Sequence, residues 1–257
     1  MPLPPTPVLP EPSYQGIVTL PDARIWFATF GNRDAPAVLL LHGGGGSSDY
    51  WGNLVRQLAA AYHVIVIDSR GQGRSTNEAA TISYRQMAAD AIAVLDHIGV
   101  ARTAVIGWSD GANTGFYLAL SRPDRIRSLF AFAGNANPAG YQPNTNPAAM
   151  RAYVARTRQE YNTLSPQPAR YEEIMRQLSA MWKTEPSLTA SELGRVRARA
   201  AIVHAEQDEV IRRAHSEWIA KQIPGAVFVL LPEAGHFAPM QRPEAFHNAA
   251  LDFLAAP

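Results

Sequence analysis

The feature that most constrains this chain is a rhythm. Short, mostly apolar runs recur at residues 37–41, 63–67, 103–107, 128–133, 200–204 and 227–231. Each is too short for a core helix and lacks the alternation of a half-solvated strand. Each is therefore expected to be a strand buried on both faces. Helical patterns fall among them: 50–61, with Trp51, Leu54, Val55 and Leu58 on one face; 83–98, with Met87, Ile92, Leu95 and Ile98; then 110–121, 212–222 and 243–254. Buried strands alternating with helices imply an α/β fold, a mostly parallel sheet with helices on both faces. Residues 16–31 alternate loosely around a Pro21-Asp22 turn and are expected to add a β-hairpin, antiparallel, at one edge.

The rhythm lapses between about 135 and 193. That stretch opens with the loop-like NANPAGYQPNTNP and then becomes helical and rich in Tyr, Met and Arg. The expected organisation is a core of residues 1–134 and 194–257 with a helical lid insertion at 135–193. Of Tyr141, Met150, Tyr153, Tyr161, Met175, Met181 and Trp182, two or three are expected to line a pocket, and the others to pack inside the lid.

Composition excludes several functions. With 23 basic and 22 acidic residues the formal charge is +1, and no charge run calls for nucleic acid or an anionic surface. The absence of cysteine rules out disulfides, thiolate metal sites and a cysteine nucleophile. No apolar run approaches the roughly 20 residues that span a bilayer. The start, MPLPPTPVLPEPSYQG, has neither the basic nor the apolar region of a secretory signal; its prolines suggest an extended arm. A cytoplasmic location with no membrane partner is expected. The histidines at 42, 63, 97, 204, 215, 236 and 247 lack metal-ligand spacing, so no metal and no other cofactor is expected.

In an open parallel sheet, ligands bind beyond the carboxyl ends of the strands. After the run ending at residue 107 comes Gly107-Trp108-Ser109-Asp110-Gly111, a G-x-S-x-G corner that presents a serine between strand and helix. After residue 41 comes His42 and the glycine run 43–46. It lacks the Lys-Ser/Thr ending of a phosphate loop and suits an oxyanion loop, with the N–H groups of Gly44 and Asp110 as donors. His42 is expected to brace that loop. After residue 67 comes DSRGQGRS, expected to be a structural turn with Asp68 and Arg70 paired or capping. After residue 204 comes AEQDEVI, whose candidate acids are Glu206, Asp208 and Glu209, and after residue 231 comes PEAGHFAP, with His236. The chain order Ser109, Asp208, His236 is that of one known serine triad.

Taken together, LLLHGG, DSRGQGRS, GWSDG, QDEVI and GHFAP resemble the α/β-hydrolase superfamily along the whole chain. GWSDGANTG is most similar to its biphenyl hydrolase-like or valacyclovir-hydrolase type. Two departures stand out: Ala205 where the family often has Gly, and Val210-Ile211-Arg212 where Pro often follows the acid. The resemblance implies Ser109 as nucleophile, His236 as base and Asp208 as the orienting acid. It implies a small-molecule ester, lactone or activated amide as substrate. Trp108, Phe237 and Asp110 are candidate substrate contacts. The Asp110 carboxylate either only suits the first turn of a helix or faces the acyl pocket and meets a substrate ammonium, as in an amino-acid ester. The same residues also suit acyl transfer, perhydrolysis or carbon–carbon hydrolysis. A small-ligand receptor of this fold would carry an inert serine. If His236 acts as base, kcat/KM is expected to rise through an apparent pKa near 6.5.

Overall fold

The structure, a computed structural model, describes residues 2–143 and 148–256. The strands are β1 (Tyr14–Leu20), β2 (Ala23–Phe30), β3 (Ala37–Leu41), β4 (His63–Ile67), β5 (Thr103–Trp108), β6 (Ile126–Phe132), β7 (Arg199–Ala205) and β8 (Val227–Leu231). They form one sheet in the order β1-β2-β4-β3-β5-β6-β7-β8. The initial hairpin β1–β2 sits at an edge and pairs antiparallel, as β2 does with β4; the remaining pairs are parallel.

Period-two alternation explains why the interiors of these runs are apolar and polar residues fall only at their ends. In β3, Leu39 and Leu41 enter one core while Val38 and Leu40 enter the other; in β4, Ile65 and Ile67 oppose Val64 and Val66. A strand with both faces dry must be apolar throughout. The helices are α1 (Gly52–Leu58), α2 (Tyr84–His97), α3 (Asp110–Ser121), α4 (Ala148–Leu164), α5 (Tyr171–Thr184), α6 (Ala190–Leu193), α7 (Arg213–Gln222), α8 (Ala238–Gln241) and α9 (Pro243–Ala255). Helices α1 and α9 cover one face through Leu54, Leu58, Phe246 and Phe253; α2, α3 and α7 cover the other through Leu95, Phe116 and Ile219. Ser83 caps α2, its hydroxyl accepting from the Gln86 N–H at 3.2 Å.

Most elements fall within two residues of the sequence reading, and two places differ more. Residues 48–51 form a 3-10 turn before α1 begins, with Ser47 as its cap. The turn α8 lies in what reads as loop, since Pro239 in its first turn hides the helical pattern. Between β6 and β7 the described residues hold α4, α5 and α6 and no strand, only an isolated bridge between Tyr141 and Ile211. Residues 144–147 of the expected loop lie outside the described residues. No described helix is long and apolar enough to cross a membrane.

Register decides what the sheet brings together. Leu41 pairs with Gly107 across β3 and β5, so the glycine loop and the serine corner leave the sheet side by side. Ala205 pairs with Leu231 across β7 and β8, so the loops carrying Asp208 and His236 also leave together.

Candidate active site

Ser109 sits at φ 54° and ψ −116°, outside the regions a residue with a side chain ordinarily occupies. Such a conformation costs on the order of 1–3 kcal/mol. The flanking glycines permit the corner: a Cβ on Gly111 would lie 1.9 Å from the Leu41 carbonyl oxygen, and one on Gly107 would lie 2.4 Å from that of Gly111. Strand and helix cross too closely there for any side chain.

The structure brings Ser109, His236 and Asp208 into one line. His236 Nε2 is 3.1 Å from the Ser109 hydroxyl, and its Nδ1 is 3.2 Å from both oxygens of Asp208. With Nδ1 donating to the carboxylate, Nε2 keeps a lone pair facing the hydroxyl. Asp208 is itself held by the N–H groups of Val210 and Ile211, each 2.8 Å from Oδ1. Burial opposes charge on both partners, but the attraction between them outweighs it. The His236 pKa is raised by Asp208, with Glu209 and Asp110 adding to it, and the Asp208 carboxyl is held below its ordinary range.

The other two carboxylates of that loop go elsewhere. Glu206 accepts from the Glu233 N–H at 3.0 Å. Glu209 accepts from the His236 backbone N–H at 3.0 Å and so tethers the histidine loop. Sequence reasoning weighed Glu209 only as a rival acid; its tether depends on two loops meeting, which no local pattern announces.

Trp108 and Phe237 are buried beside the histidine. The Trp108 indole donates to the His236 carbonyl at 2.8 Å, and its ring meets Phe237 edge-on. His42 braces the glycine loop as expected: its Nδ1 is 2.8 Å from the Gly43 carbonyl and its Nε2 accepts from the Ser69 N–H at 3.0 Å. Burial lowers its pKa, which favours this neutral form. Asp68 and Arg70 do not pair with each other. Asp68 accepts from the N–H groups of Ser48 and Arg74 and pairs with the Arg74 side chain, whereas Arg70 turns the other way to Asp90 and Asp22. Two residues apart in the turn, Asp68 thus holds the segment that follows the glycine loop while Arg70 reaches onto α2.

Ser109, Asp110, His236, Gly43 and Gly44 open onto a cavity of about 330 Å³, also lined by Trp108 and Phe237. Tyr141, Met150, Tyr153, Met175 and Trp182 line it too, more than the two or three expected, because α4 and α5 lie directly over it. Tyr161 and Met181 of that set line no part of the cavity and pack in the core. Asp110 is 5% exposed, and its carboxylate already has donors. The Tyr84 hydroxyl lies 2.7 Å from Oδ1 and the Trp182 indole nitrogen 2.8 Å from Oδ2. Burial raises its pKa although both donors oppose the shift. The same carboxylate explains Gly44, where a Cβ would lie 2.3 Å from Asp110 Oδ2.

A mostly parallel sheet covered on both faces, with a strained serine at a strand-to-helix corner, defines the α/β-hydrolase class of enzymes. The family described as alpha/beta hydrolase fold matches residues 36–162. The chain is 26% identical to 3-oxoadipate enol-lactonase 2 of Acinetobacter baylyi, over 94% of this chain and 97% of that protein's length. It is 27% identical to a protein of Pseudomonas syringae pv. syringae named as a candidate carbamate hydrolase, RutD, over 87% and 95%. The solved enol-lactonase of Burkholderia xenovorans LB400 superposes with a TM-score of 0.76 at 22% identity, covering 94% of this chain and all of that one. The chain belongs to the α/β-hydrolase superfamily and is a hydrolytic enzyme.

Proposed function

We propose that the enzyme hydrolyses a small carboxylic ester or lactone with an uncharged, largely apolar acyl part, through an acyl-enzyme on Ser109. The observation that carries this reading is the unbroken line Ser109–His236–Asp208 at the wall of the apolar cavity. His236 takes the serine proton as Ser109 attacks the acyl carbon, and Asp208 steadies the imidazolium. The N–H groups of Gly44 and Asp110 receive the oxyanion; an N–H in the first turn of a helix has no acceptor within that helix. His236 then protonates the leaving oxygen, and water, deprotonated by the same imidazole, releases the acid. Residues 135–193 act as the lid over residues 1–134 and 194–257, with Trp108 and Phe237 shaping the acyl site. A cavity of about 330 Å³ lies at the small end of ligand sites. The lactone and carbamate chemistry in the names of the relatives is likewise attack on an acyl carbon bearing a heteroatom leaving group.

The second reading, an amino-acid ester whose ammonium meets Asp110, is disfavoured by the donors already on that carboxylate. Purified enzyme tested on aryl esters of graded acyl length should hydrolyse the short ones. Given an amino-acid ester and its des-amino analogue, it should show less than about a tenfold preference for the former, the worth of one modest charge contact. A larger preference, lost in Asp110→Asn, reinstates the ammonium. No turnover of any ester, with Ser109 inert to a fluorophosphonate probe, removes the hydrolase reading of this site.

The base must be neutral to act. Because Asp208 raises the His236 pKa, the ascending limb of kcat/KM against pH should lie above the ordinary histidine value of about 6.5, rather than at it. A profile flat from about pH 5 to 8 in folded protein excludes His236 as the base.

A further inference from the structure

The glycine loop has no side chains to fix its peptide planes, so its hydrogen bonds must do so. Core groups hold one side. The Gly43 carbonyl is 2.8 Å from His42 Nδ1 and accepts from the Gly46 N–H at 3.1 Å, and the Gly45 N–H donates to Gln72 Oε1 at 2.6 Å. The other side is held from α4. The Tyr153 hydroxyl donates to the Gly44 carbonyl at 3.1 Å. The peptide joining Gly44 to Gly45 is thus clamped at both ends, by Tyr153 at its oxygen and Gln72 at its N–H. The fit is close: a Cβ on Gly46 would lie 2.6 Å from the Tyr153 hydroxyl. The Tyr153 ring is seated against Tyr50 and Phe237, with centroids 5.4 and 5.0 Å away.

Helix α4 is in turn held from outside by the N-terminal arm. Arg156 donates to the carbonyls of Leu3 and Pro4, and Thr6 donates to Glu160. Glu160 also accepts from the Tyr50 hydroxyl at 2.8 Å, which links the arm to the ring beside Tyr153. The arm is seated beyond that point as well. Arg56 donates to the Val8 carbonyl at 3.2 Å, and Gly52 lies so near that a Cβ there would be 2.5 Å from the same oxygen. Leu3 and Leu9 pack against the core.

We propose that Tyr153 is a positioning residue for the oxyanion loop, and that residues 2–9 form the brace that keeps its helix seated. The inference rests on Gly44 being an oxyanion donor, as proposed above. Tyr153 touches no reacting atom; it fixes the plane next to the donor. A donor lost outright costs about 10²–10³ in kcat, so a donor left loose should cost less.

The test uses the full chain. Tyr153→Phe keeps the ring and removes the bond to Gly44. It should lower kcat about 10–100-fold, with KM within about threefold and the pH limb unmoved, since the loss is confined to transition-state stabilisation. Thr6→Val with Arg156→Met, both half-buried, removes the arm's polar hold on α4 and should lower kcat in the same way, by about three- to tenfold. In the Tyr153→Phe background the arm substitutions should add nothing, because both act on one contact. Wild-type kcat in folded Tyr153→Phe, or a loss seen only in KM, overturns the role of Tyr153. Arm substitutions that leave kcat unchanged, or whose effect multiplies with that of Tyr153→Phe, overturn the brace. Should Tyr153→Phe fail to fold, the arm variant alone decides, a shift in kcat supporting the coupling and none refuting it. Wild-type protein that labels Ser109 and turns over esters keeps the hydrolase reading intact under every one of these outcomes.

Discussion

Replacing Ser109 by alanine is expected to lower kcat by about 10⁴-fold or more, in a protein that keeps its fold. The proposed nucleophile is the only part of the site removed. The substitution deletes one oxygen at a half-buried position, so it opens no large cavity, and alanine meets the same backbone strain at φ 54° that serine does. A conformation costing on the order of 1–3 kcal/mol is a large fraction of ordinary stability. Its retention is understandable if the hydroxyl must stand clear of the sheet beneath the imidazole. The measurement is steady-state turnover of the best short ester beside thermal melting of both proteins. Esterase activity comparable to wild type in folded Ser109→Ala sinks the acyl-enzyme mechanism.

Replacing Asp208 by asparagine should come close behind, lowering kcat by about 10⁴-fold. The amide can still occupy the site and accept from Val210 and Ile211, so the loop should hold. What changes is the imidazole. An amide N–H facing Nδ1 favours the tautomer with its proton on Nε2, leaving no lone pair for the serine. The raised His236 pKa should also fall, since Asp208 is its main positive contribution. The neighbouring acids serve as controls. Glu206→Gln changes only a contact to the Glu233 N–H and should leave turnover nearly untouched. Glu209→Gln keeps an acceptor for the His236 N–H and should cost at most about tenfold. If Glu206→Gln proves the damaging change, Asp208 is the wrong acid.

The fold was legible because its signals are local. The run 37–41 is apolar from end to end because both its faces are buried, and the observed strand begins and ends at those residues. The run 227–231 is equally apolar and its ends are also matched, yet β8 is an edge strand with Val227 exposed and Phe228, Val229 and Leu230 half-buried, so there the expectation of two buried faces fails. The corner was legible for a steric reason: a Cβ at 107 or 111 would lie 1.9–2.4 Å from a backbone oxygen, so no residue type but glycine fits. Turns were less readable. Asp68 and Arg70 were expected to be paired or capping: Asp68 does accept backbone N–H groups, whereas the partner of Arg70 is Asp90, twenty residues along, which only the packing of α2 brings up.

The candidate site divides along the same line. Ser109, Asp208 and His236 were found because each follows a recognisable strand. Trp182 on Asp110, Tyr153 on Gly44 and Thr6 on Glu160 were not, and the partners stand 72, 109 and 154 residues apart. By itself, the sequence determined the class of fold, the strained corner and the order of the groups proposed for catalysis, since these follow from periodicity, from glycine sterics and from position past a strand end. Only the tertiary structure decided where the neighbouring acids Glu206 and Glu209 turn, how many insertion residues line the cavity, and what already occupies the Asp110 carboxylate. Those depend on side chains from distant segments competing for the same few ångströms, and that competition is settled by packing rather than by any local pattern.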